Sequence, residues 1–561
     1  MARWRRPFAK HIRLGPYGIT AGAIIVWATI FRLILTALTY PEVNSDEGTM
    51  GIEAMHIAFA GQHPIYLYGQ NYMGVLEAYI AAPLFHLFGV SAFTLRLGLV
   101  LLFALFLIAM YWLGRLLYSK KLALASLALL SLAPADMLIQ QLRAVGGAIE
   151  TILCGSLLLV LAYRLAATAG QRVRWRYLTY AAWGFTAGLA LWVHILVLPF
   201  VVCSGLLILL FCYREWRSPA IPSLLLGLLI GGFPLIPGYQ AFTTVLGIRG
   251  GGISLGSGQS TNLFQQLLST GLWGIPLSTG VQPVCAYSDL PTYGPGTALT
   301  VPCSLLQGAW SAGYLILLGM GLCMAGAVCW RLWRQHHQRD LSSDEQQQAV
   351  LSFARLMHLL TAVLVILLYV SSPLSGLKPW STRYLVGLLV ATPGILWPLW
   401  RLADLEKLQL SLKRSTQWLS RVALVLVALV WLAGTLYTMT TIPTALAATR
   451  QQQQLVQDLL KLKVTRVYTE YWTCYRLLFQ SQEQILCARP PYPTVVGADR
   501  YAPDARVVQP DPATLNSSIP FLFPVGEFTE IATFEQYNQE HGRRFQKYTL
   551  DDMVLYIPLS G

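Results

Sequence analysis

The stretch Asn44-Ser45-Asp46-Glu47-Gly48 follows directly on the first apolar segment of the chain, residues 19–40. Five carboxylates lie between Glu42 and Glu77, and the next lysine or arginine after them is Arg96. Adjacent acids just outside an apolar span, followed by aromatic and turn residues, are typical of a chemical site at the boundary between water and lipid. A simple solvated face at a helix end is the alternative, and the acid pair by itself leaves both open.

The composition of the 561-residue chain indicates an integral membrane protein. Hydrophobic residues make up 55% of it and charged residues only 12%. Several apolar runs approach the ~20 residues that cross a bilayer as a helix. The net charge of +14 does not indicate a nucleic-acid partner, because the basic residues form short clusters between apolar runs rather than one patch.

Hydropathy predicts about eleven transmembrane helices. The candidate spans are residues 17–40, 97–118, 122–138, 148–164, 177–194, 196–213, 219–238, 308–330, 355–371, 384–400 and 421–441. Five basic residues precede the first span, which is too long for the apolar core of a cleaved signal peptide. We therefore predict a retained signal anchor with a cytoplasmic amino terminus.

The distribution of basic residues supports this topology. Loops assigned to the inside hold 22 lysines and arginines, whereas loops assigned to the outside hold 5 before the tail. Cytoplasmic loops of membrane proteins carry such an excess. The odd number of spans then places the carboxy-terminal tail outside.

Two parts outside the spans stand out. Residues 239–307 form the longest loop, and residues 445–561 mix short strand and helix patterns after the last span, which predicts a small α/β domain on the outer side.

Four cysteines fall in outer segments, two in each, and predict the disulfides Cys285–Cys303 and Cys474–Cys487. Coincidence is the alternative for this even pairing.

The first outer loop, residues 41–96, resembles that of a known enzyme class. After the Asp-Glu pair come G-x-x-P-x-Y-x-Y-G at 61–69, Ala-Ala-Pro-Leu-Phe at 81–85 and Phe-Gly at 88–89. This order is similar to that of GT-C glycosyltransferases, in particular the polyprenyl-phosphate-sugar-dependent group of protein O-mannosyltransferases and lipid A aminoarabinose transferases. The match covers residues 20–200, is weaker at 355–400 and is absent beyond.

The resemblance implies roles for several residues. Asp46 corresponds to the catalytic carboxylate of the family, with Glu47 beside it and Glu150 as a second acid. Arg143 and the Arg383-Tyr384 element, with Lys378 nearby, correspond to cations for a lipid phosphate. The alternatives are an Arg143–Glu150 ion pair and an Arg383 that only reaches lipid headgroups.

The chemistry of the reaction fits such a set of residues. A departing phosphate needs no proton, so the enzyme must supply a base for the acceptor and cations for the phosphate. Aromatic and amide side chains suited to a sugar, or to the interfacial aromatic belt, occur in the first loop. They are Tyr66, Tyr68, Gln70 and Asn71.

The sequence thus predicts an all-α polytopic membrane domain of the GT-C type, residues 1–444, followed by an extracytoplasmic α/β domain, residues 445–561. We expect an inverting transfer of a hexosyl or pentosyl group from a polyprenyl-phosphate donor to a protein, lipid or polysaccharide acceptor. The compartment expected is the extracytoplasmic face of a bacterial plasma membrane, with loop 239–307 as a lid.

Two points stay open at this level. The prediction is a reaction without a cofactor, yet two adjacent acids could also hold Mg²⁺ or Mn²⁺ through oxygen ligands. A transporter or flippase of lipid-linked sugars is the main alternative function, although the chain shows no internal repeat of the kind that transporters have. A receptor presenting the tail domain is a second alternative, but it would not need the acids and arginines.

Overall fold

The computed structural model describes residues 15–70, 72–171, 175–216, 218–238, 262–281, 301–372, 375, 379–404, 413–490, 499–510, 518–525, 528–540 and 543–559. Within these ranges the chain is mainly α-helical and carries a small mixed sheet near its carboxyl end. The predicted fold class, a helical membrane part followed by a small α/β domain, is confirmed.

The α-helices of the described ranges are numbered in chain order, and short 3-10 segments flank several of them. They are α1 (Pro16–Ala37), α2 (Ser45–Phe59), α3 (Leu76–Phe88), α4 (Ala92–Leu117), α5 (Lys120–Ser131), α6 (Ala135–Leu142), α7 (Ala148–Ala167), α8 (Trp175–Val193), α9 (Leu198–Cys212), α10 (Ala220–Gly231), α11 (Leu263–Ser269), α12 (Ile275–Ser278), α13 (Val301–His336), α14 (Ser343–Val370), α15 (Thr392–Ala403), α16 (Lys413–Lys461), α17 (Tyr471–Gln480), α18 (Ala502–Val508) and α19 (Phe528–Glu540). A 3-10 segment, Pro379–Ala391, leads into α15.

Among the described residues, eight helical segments are long and apolar enough to cross a membrane, or nine if α5 and α6 form one broken span. α5 and α6 meet at an angle of 84°. The predicted number of eleven is not confirmed. α10, inside the predicted span 219–238, has only 12 residues, and at 1.5 Å per residue it falls short of the ~30 Å hydrocarbon core.

The short helix α10 packs along α8 through glycines on both helices. A Cβ atom added at Gly184 would lie 2.1 Å from the Leu224 carbonyl oxygen, and one added at Gly227 would lie 2.0 Å from the Ala181 carbonyl oxygen. Only glycine permits backbones to approach this closely, as in membrane helix pairs with small residues at the contact. This contact explains why an α10 too short to span is still held beside a long helix.

The first outer loop is largely helical. α2 begins at Ser45 because the Asn44 side chain accepts a hydrogen bond from the Glu47 backbone N–H at 2.9 Å, a standard amino-terminal cap. Asp46 and Glu47 therefore lie in the first turn, where the helix dipole favours negative charge. Twelve of the 15 residues of α2 are buried, so this loop is a packed element and not a solvated face.

The carboxy-terminal domain contains a five-stranded sheet of order β2-β1-β3-β5-β4. Its strands are β1 (Arg466–Tyr468), β2 (Leu486–Ala488), β3 (Phe521–Pro524), β4 (Phe545–Leu550) and β5 (Met553–Pro558). β1 pairs in parallel with β2 and β3, while β5 pairs antiparallel with β3 and β4. The short strand and helix patterns predicted for residues 445–561 thus correspond to a mixed sheet with flanking helices.

The two parts of the chain are joined by one long helix. α16 runs from Lys413 to Lys461 without a break, so the predicted span 421–441 and the start of the predicted tail domain at residue 445 belong to the same element. α17 then packs closely on α2, where a Cβ atom at Gly48 would lie 2.2 Å from the Tyr475 carbonyl oxygen. The tail domain is thereby fastened directly to the first outer loop.

Candidate active site

Asp46 lies at the contact between α2 and the tail domain. The Asp46 residue is buried, with only 7% of its surface exposed. The Tyr471 hydroxyl donates to Asp46 Oδ1 at 2.6 Å, and Arg500 Nη2 donates to the same oxygen at 2.7 Å. The other oxygen, Oδ2, lies 3.6 Å from Arg383 Nη1. One carboxylate therefore lies between two guanidinium groups that come from distant parts of the chain.

Arg383 connects Asp46 with a small cavity. Its Nη2 donates to the Tyr384 hydroxyl at 3.1 Å, and both side chains line the cavity. The other lining residues are Tyr72, Met73, Gln140, Val145, Gly146, Ala148, His194 and Leu196. The structure thus brings together the predicted residues Asp46, Arg383 and Tyr384, while Lys378 lies outside the described residues.

Glu47, the predicted second acid of the loop, does not contact this group. It is fully buried, and its carboxylate accepts two hydrogen bonds from Arg96, from Nε at 2.7 Å and from Nη2 at 2.5 Å. The Ala144 backbone N–H also donates to it at 3.0 Å. Both carboxylate oxygens are thus engaged in hydrogen bonds that hold the scaffold, and the reacting role of Glu47 stays a prediction.

Among the described residues, Arg143 and Glu150 form no hydrogen bond or ion pair with Asp46. Arg143 Nη2 donates to the Glu42 carbonyl oxygen at 2.8 Å and does not form the alternative pair with Glu150, while its predicted contact with a lipid phosphate stays a prediction. Glu150 is buried beside Glu77, which accepts a hydrogen bond from the Gly146 backbone N–H at 3.1 Å. Burial and the Glu150 carboxyl hold the pKa of Glu77 well above its usual range.

These buried acids share one structural task. Glu47, Glu77 and the Glu42 carbonyl each hold a group of residues 143–146, the segment whose Val145 and Gly146 line the cavity. Gly146 and Gly147 have φ values of +83° and +82°, which residues other than glycine rarely adopt. These contacts therefore hold a glycine turn that forms one wall of the cavity.

The predicted sugar-binding residues separate into three groups. Tyr66 donates to the Gly238 carbonyl oxygen at 3.3 Å, and Tyr68 donates to Gln62 Oε1 at 2.7 Å, so neither lines the cavity. With its amide oriented to satisfy its neighbours, Gln70 accepts from Arg500 Nη1 at 2.7 Å. Asn71 lies outside the described residues.

Of the two predicted disulfides, the structure describes one. Cys474 and Cys487 form a disulfide with their Cα atoms 5.6 Å apart, which links α17 to β2. Cys285 lies outside the described residues, and so does the side chain of Cys303. In the part of the chain that the structure describes, no group of three or more His, Cys, Asp or Glu side chains could hold a metal ion.

Two functional candidates were missed by the sequence reasoning. Tyr471 and Arg500 lie 425 and 454 residues beyond Asp46 in the chain, within a domain that shows no catalytic motif. The sequence signal nearest to them is the pair Cys474 and Cys487, which predicts that α17 belongs to an extracytoplasmic domain without placing it against α2.

Comparison with solved structures identifies the fold. The structure is similar to that of ArnT from Cupriavidus metallidurans in the apo state, a lipid A aminoarabinose transferase of the GT-C superfamily, with a TM-score of 0.51 and 12% identity. The match covers 95% of this chain and 97% of that chain. The predicted GT-C fold is thereby confirmed, and the chain is an integral membrane protein of this architecture.

A more distant likeness is found to an archaeal protein. The apo oligosaccharyltransferase of Archaeoglobus fulgidus is 13% identical, with a TM-score of 0.46, and the match covers 96% of this chain and 74% of that chain. No family model and no curated protein sequence matches the chain.

Proposed function

We propose that this chain is a membrane glycosyltransferase that moves a sugar from a polyprenyl-phosphate donor to an acceptor on the outer face of the membrane. The observation that carries the proposal is the Asp46 carboxylate between Arg383 and Arg500, next to a cavity that Arg383 and Tyr384 line. The fold shared with ArnT supports the class of enzyme.

The charge of the site supports an anionic donor. Arg383 and Arg500 carry two positive charges and Asp46 one negative charge, so the group has an excess of one positive charge. A phosphodiester, as in a sugar joined to a polyprenyl phosphate, carries one negative charge and balances this excess. Guanidinium groups bind phosphate oxygens through parallel hydrogen bonds, which suits Arg383 to the task.

The proposed reaction is a single displacement. The acceptor's oxygen or nitrogen forms a bond to the anomeric carbon of the sugar, while the bond from that carbon to the phosphate oxygen breaks. The acceptor's proton passes to Asp46, and the negative charge on the departing polyprenyl phosphate is stabilised by Arg383. Attack opposite the leaving group inverts the anomeric carbon. Asp46 is the only acid to which we assign a reacting role.

The long outer loop also fits this proposal. Part of the predicted lid, residues 262–281, lies beside the segment that carries Arg383, since Ser278 Oγ donates to the Thr382 carbonyl oxygen at 3.1 Å. Leu277 and Ser278 line a second small cavity with Asp136 and Gln140, and Gln140 also lines the first cavity. The lid would cover the donor there and exclude water.

Transfer and donor binding test the proposal separately. The purified protein in lipid nanodiscs, given a labelled polyprenyl-phosphate sugar and acceptor-bearing membranes, should form labelled product with an inverted anomeric centre. Arg383→Ala should weaken donor binding by roughly 10- to 100-fold, the range for one hydrogen bond to a charged group. The control is Arg339→Ala, which removes an exposed ion pair with Glu345. Movement of intact donor across the bilayer without transfer would instead indicate a flippase.

A further inference from the structure

The tail domain provides both hydrogen bonds to Asp46 Oδ1, one from Tyr471 in α17 and one from Arg500. We propose that Tyr471 and Arg500 are positioning residues that fix the Asp46 carboxylate, so that its Oδ2 atom receives the acceptor's proton. This inference rests on the proposed function and makes the tail domain a working part of the active site.

The geometry of the carboxylate divides its two oxygens. A carboxylate oxygen has two lone pairs, and the bonds of 2.6 Å and 2.7 Å from Tyr471 and Arg500 engage both lone pairs of Oδ1. Oδ2 lies on the side of Arg383, at the longer distance of 3.6 Å. The oxygen nearer the donor-side cation is therefore the one placed to act as the base.

Tyr471 is itself held in place from several directions. The Ser45 hydroxyl donates to the Tyr471 carbonyl oxygen at 2.6 Å, which ties the first turn of α17 to the first turn of α2. The Cys474–Cys487 disulfide fastens the same helix to β2. Burial, and then the charge of Asp46, raise the pKa of the Tyr471 hydroxyl, so it remains a neutral donor at physiological pH.

Arg500 is fixed by the segment that carries it. We call residues 499–504 the strap. The Tyr475 hydroxyl accepts hydrogen bonds from the backbone N–H groups of Arg500 and Tyr501, and the Arg500 guanidinium lies 4.8 Å from the centre of the Tyr471 ring. Arg500 also contacts Gly69, where a Cβ atom would lie 2.9 Å from it. The strap, α17 and the first loop thus form one packed unit around Asp46.

A matched pair of substitutions tests the inference. Tyr471→Phe removes the hydroxyl on Asp46 and keeps the ring. Tyr556→Phe removes a hydroxyl that donates to the Glu535 carboxylate, also at 2.6 Å, in the sheet of the same domain. We expect turnover of Tyr471→Phe to fall roughly 10- to 100-fold, the range for one hydrogen bond to a charged group. Tyr556→Phe should transfer sugar at the wild-type rate.

The pH profile distinguishes positioning from a loss of folded protein. A hydrogen bond to an ionised carboxylate favours the ionised form, so its loss should move the acidic limb of the turnover profile of Tyr471→Phe to higher pH. Binding of the donor should stay within about 2-fold of wild type, because Tyr471 does not lie on the side of Arg383. A fold defect would lower the amount of active protein and leave the limb unmoved.

The second position gives an independent check should Tyr471→Phe fail to fold. Arg500→Gln should lower turnover, and Arg500→Lys, which keeps one donor and the charge, should recover part of the loss. Wild-type turnover and an unmoved acidic limb in Tyr471→Phe and Arg500→Gln would overturn the inference. So would faster transfer or faster donor hydrolysis in Tyr471→Phe, because Tyr471 would then block Asp46. A wild-type protein that transfers no sugar would remove the proposed function itself.

Discussion

Asp46 and Glu47 are adjacent in the first turn of α2, yet their surroundings differ in kind. Glu47 is enclosed by Arg96 of α4 and the Ala144 backbone, all within the membrane part of the chain. Asp46 contacts Arg500 of the tail domain and Arg383 of the segment before α15. Because successive helical residues point about 100° apart, neighbouring acids face different partners. One acid fixes the scaffold and the other is available for chemistry.

The largest expected effect on stability concerns the Glu47 side of this comparison. Arg96→Ala leaves the Glu47 carboxylate buried and unpaired, which costs about 3–5 kcal/mol. Asp46→Asn keeps the shape of the side chain and its ability to accept hydrogen bonds, and should cost about 1 kcal/mol or less. Thermal unfolding of both variants in the same detergent measures the difference. The comparison fails if Arg96→Ala is no less stable than the control Arg339→Ala, which removes an exposed ion pair.

The next largest effect on stability is expected at the Cys474–Cys487 disulfide, which holds the tail-domain helix that contacts Asp46. Cys474→Ser opens a link with a sequence separation of 13 residues, and the chain-entropy model assigns such a loop about 3 kcal/mol. Turnover should also fall, since α17 carries Tyr471. Cys323→Ser, at an exposed free cysteine, serves as the control. A Cys474→Ser protein of unchanged melting temperature and unchanged turnover would show that α17 does not depend on the disulfide.

The sequence predicted the elements whose signal is local. Apolar runs gave most of the long helices, and the Asp46 loop and the Arg383-Tyr384 element were recognised from short motifs. The predicted number of spans was not confirmed, because an apolar run such as 219–238 shows hydropathy but not where its helix ends. Hydropathy alone also could not reveal the glycine contact that lets the short α10 lie along α8.

The rest of the site depends on contacts between distant residues. Arg500 reaches Asp46 across 454 positions, and a sequence without a motif around Arg500 gives no sign of this. A single sequence also does not show which polar side chains are buried. Glu47, Arg143 and Glu150 have the right residue types for the chemistry, but Glu47 and Glu150 are buried, Glu47 pairs with Arg96, and Arg143 donates to the Glu42 carbonyl oxygen.

A smaller effect on stability is expected at the buried Glu77–Glu150 pair, to which we assign a structural role, as we do to Glu47. Glu150→Gln keeps a group that can hydrogen bond with Glu77 and should change the free energy of unfolding by less than about 1 kcal/mol. Glu150→Ala leaves Glu77 without that partner and should cost about 1–3 kcal/mol. Chemical denaturation of the two variants gives the values. Equal losses in both variants would show that Glu150 acts through its carboxyl group and not through its volume.

The smallest expected effect is a pH dependence in the strap, on the Asp46 side. Burial and the neighbouring Glu483 raise the pKa of Asp504 from 3.8 to about 6. The folded state therefore binds more protons than the unfolded state in this range, and stability falls as pH rises from about 4 to about 6. Solvent screening keeps the loss below about 1 kcal/mol, because Asp504 is partly exposed. Asp504→Asn should remove this slope from melting curves, and a slope that persists would assign it to another group.

The central claim is that Asp46 is the base and Glu47 is not, and one measurement addresses it most directly. Sugar transfer from a labelled polyprenyl-phosphate donor is followed for wild type and Asp46→Asn, with donor binding measured in parallel. We expect Asp46→Asn to lower turnover by about 10²–10⁴-fold, the usual share of a general base, with donor affinity and melting temperature close to wild type. A folded Asp46→Asn protein that transfers sugar at the wild-type rate would contradict the claim.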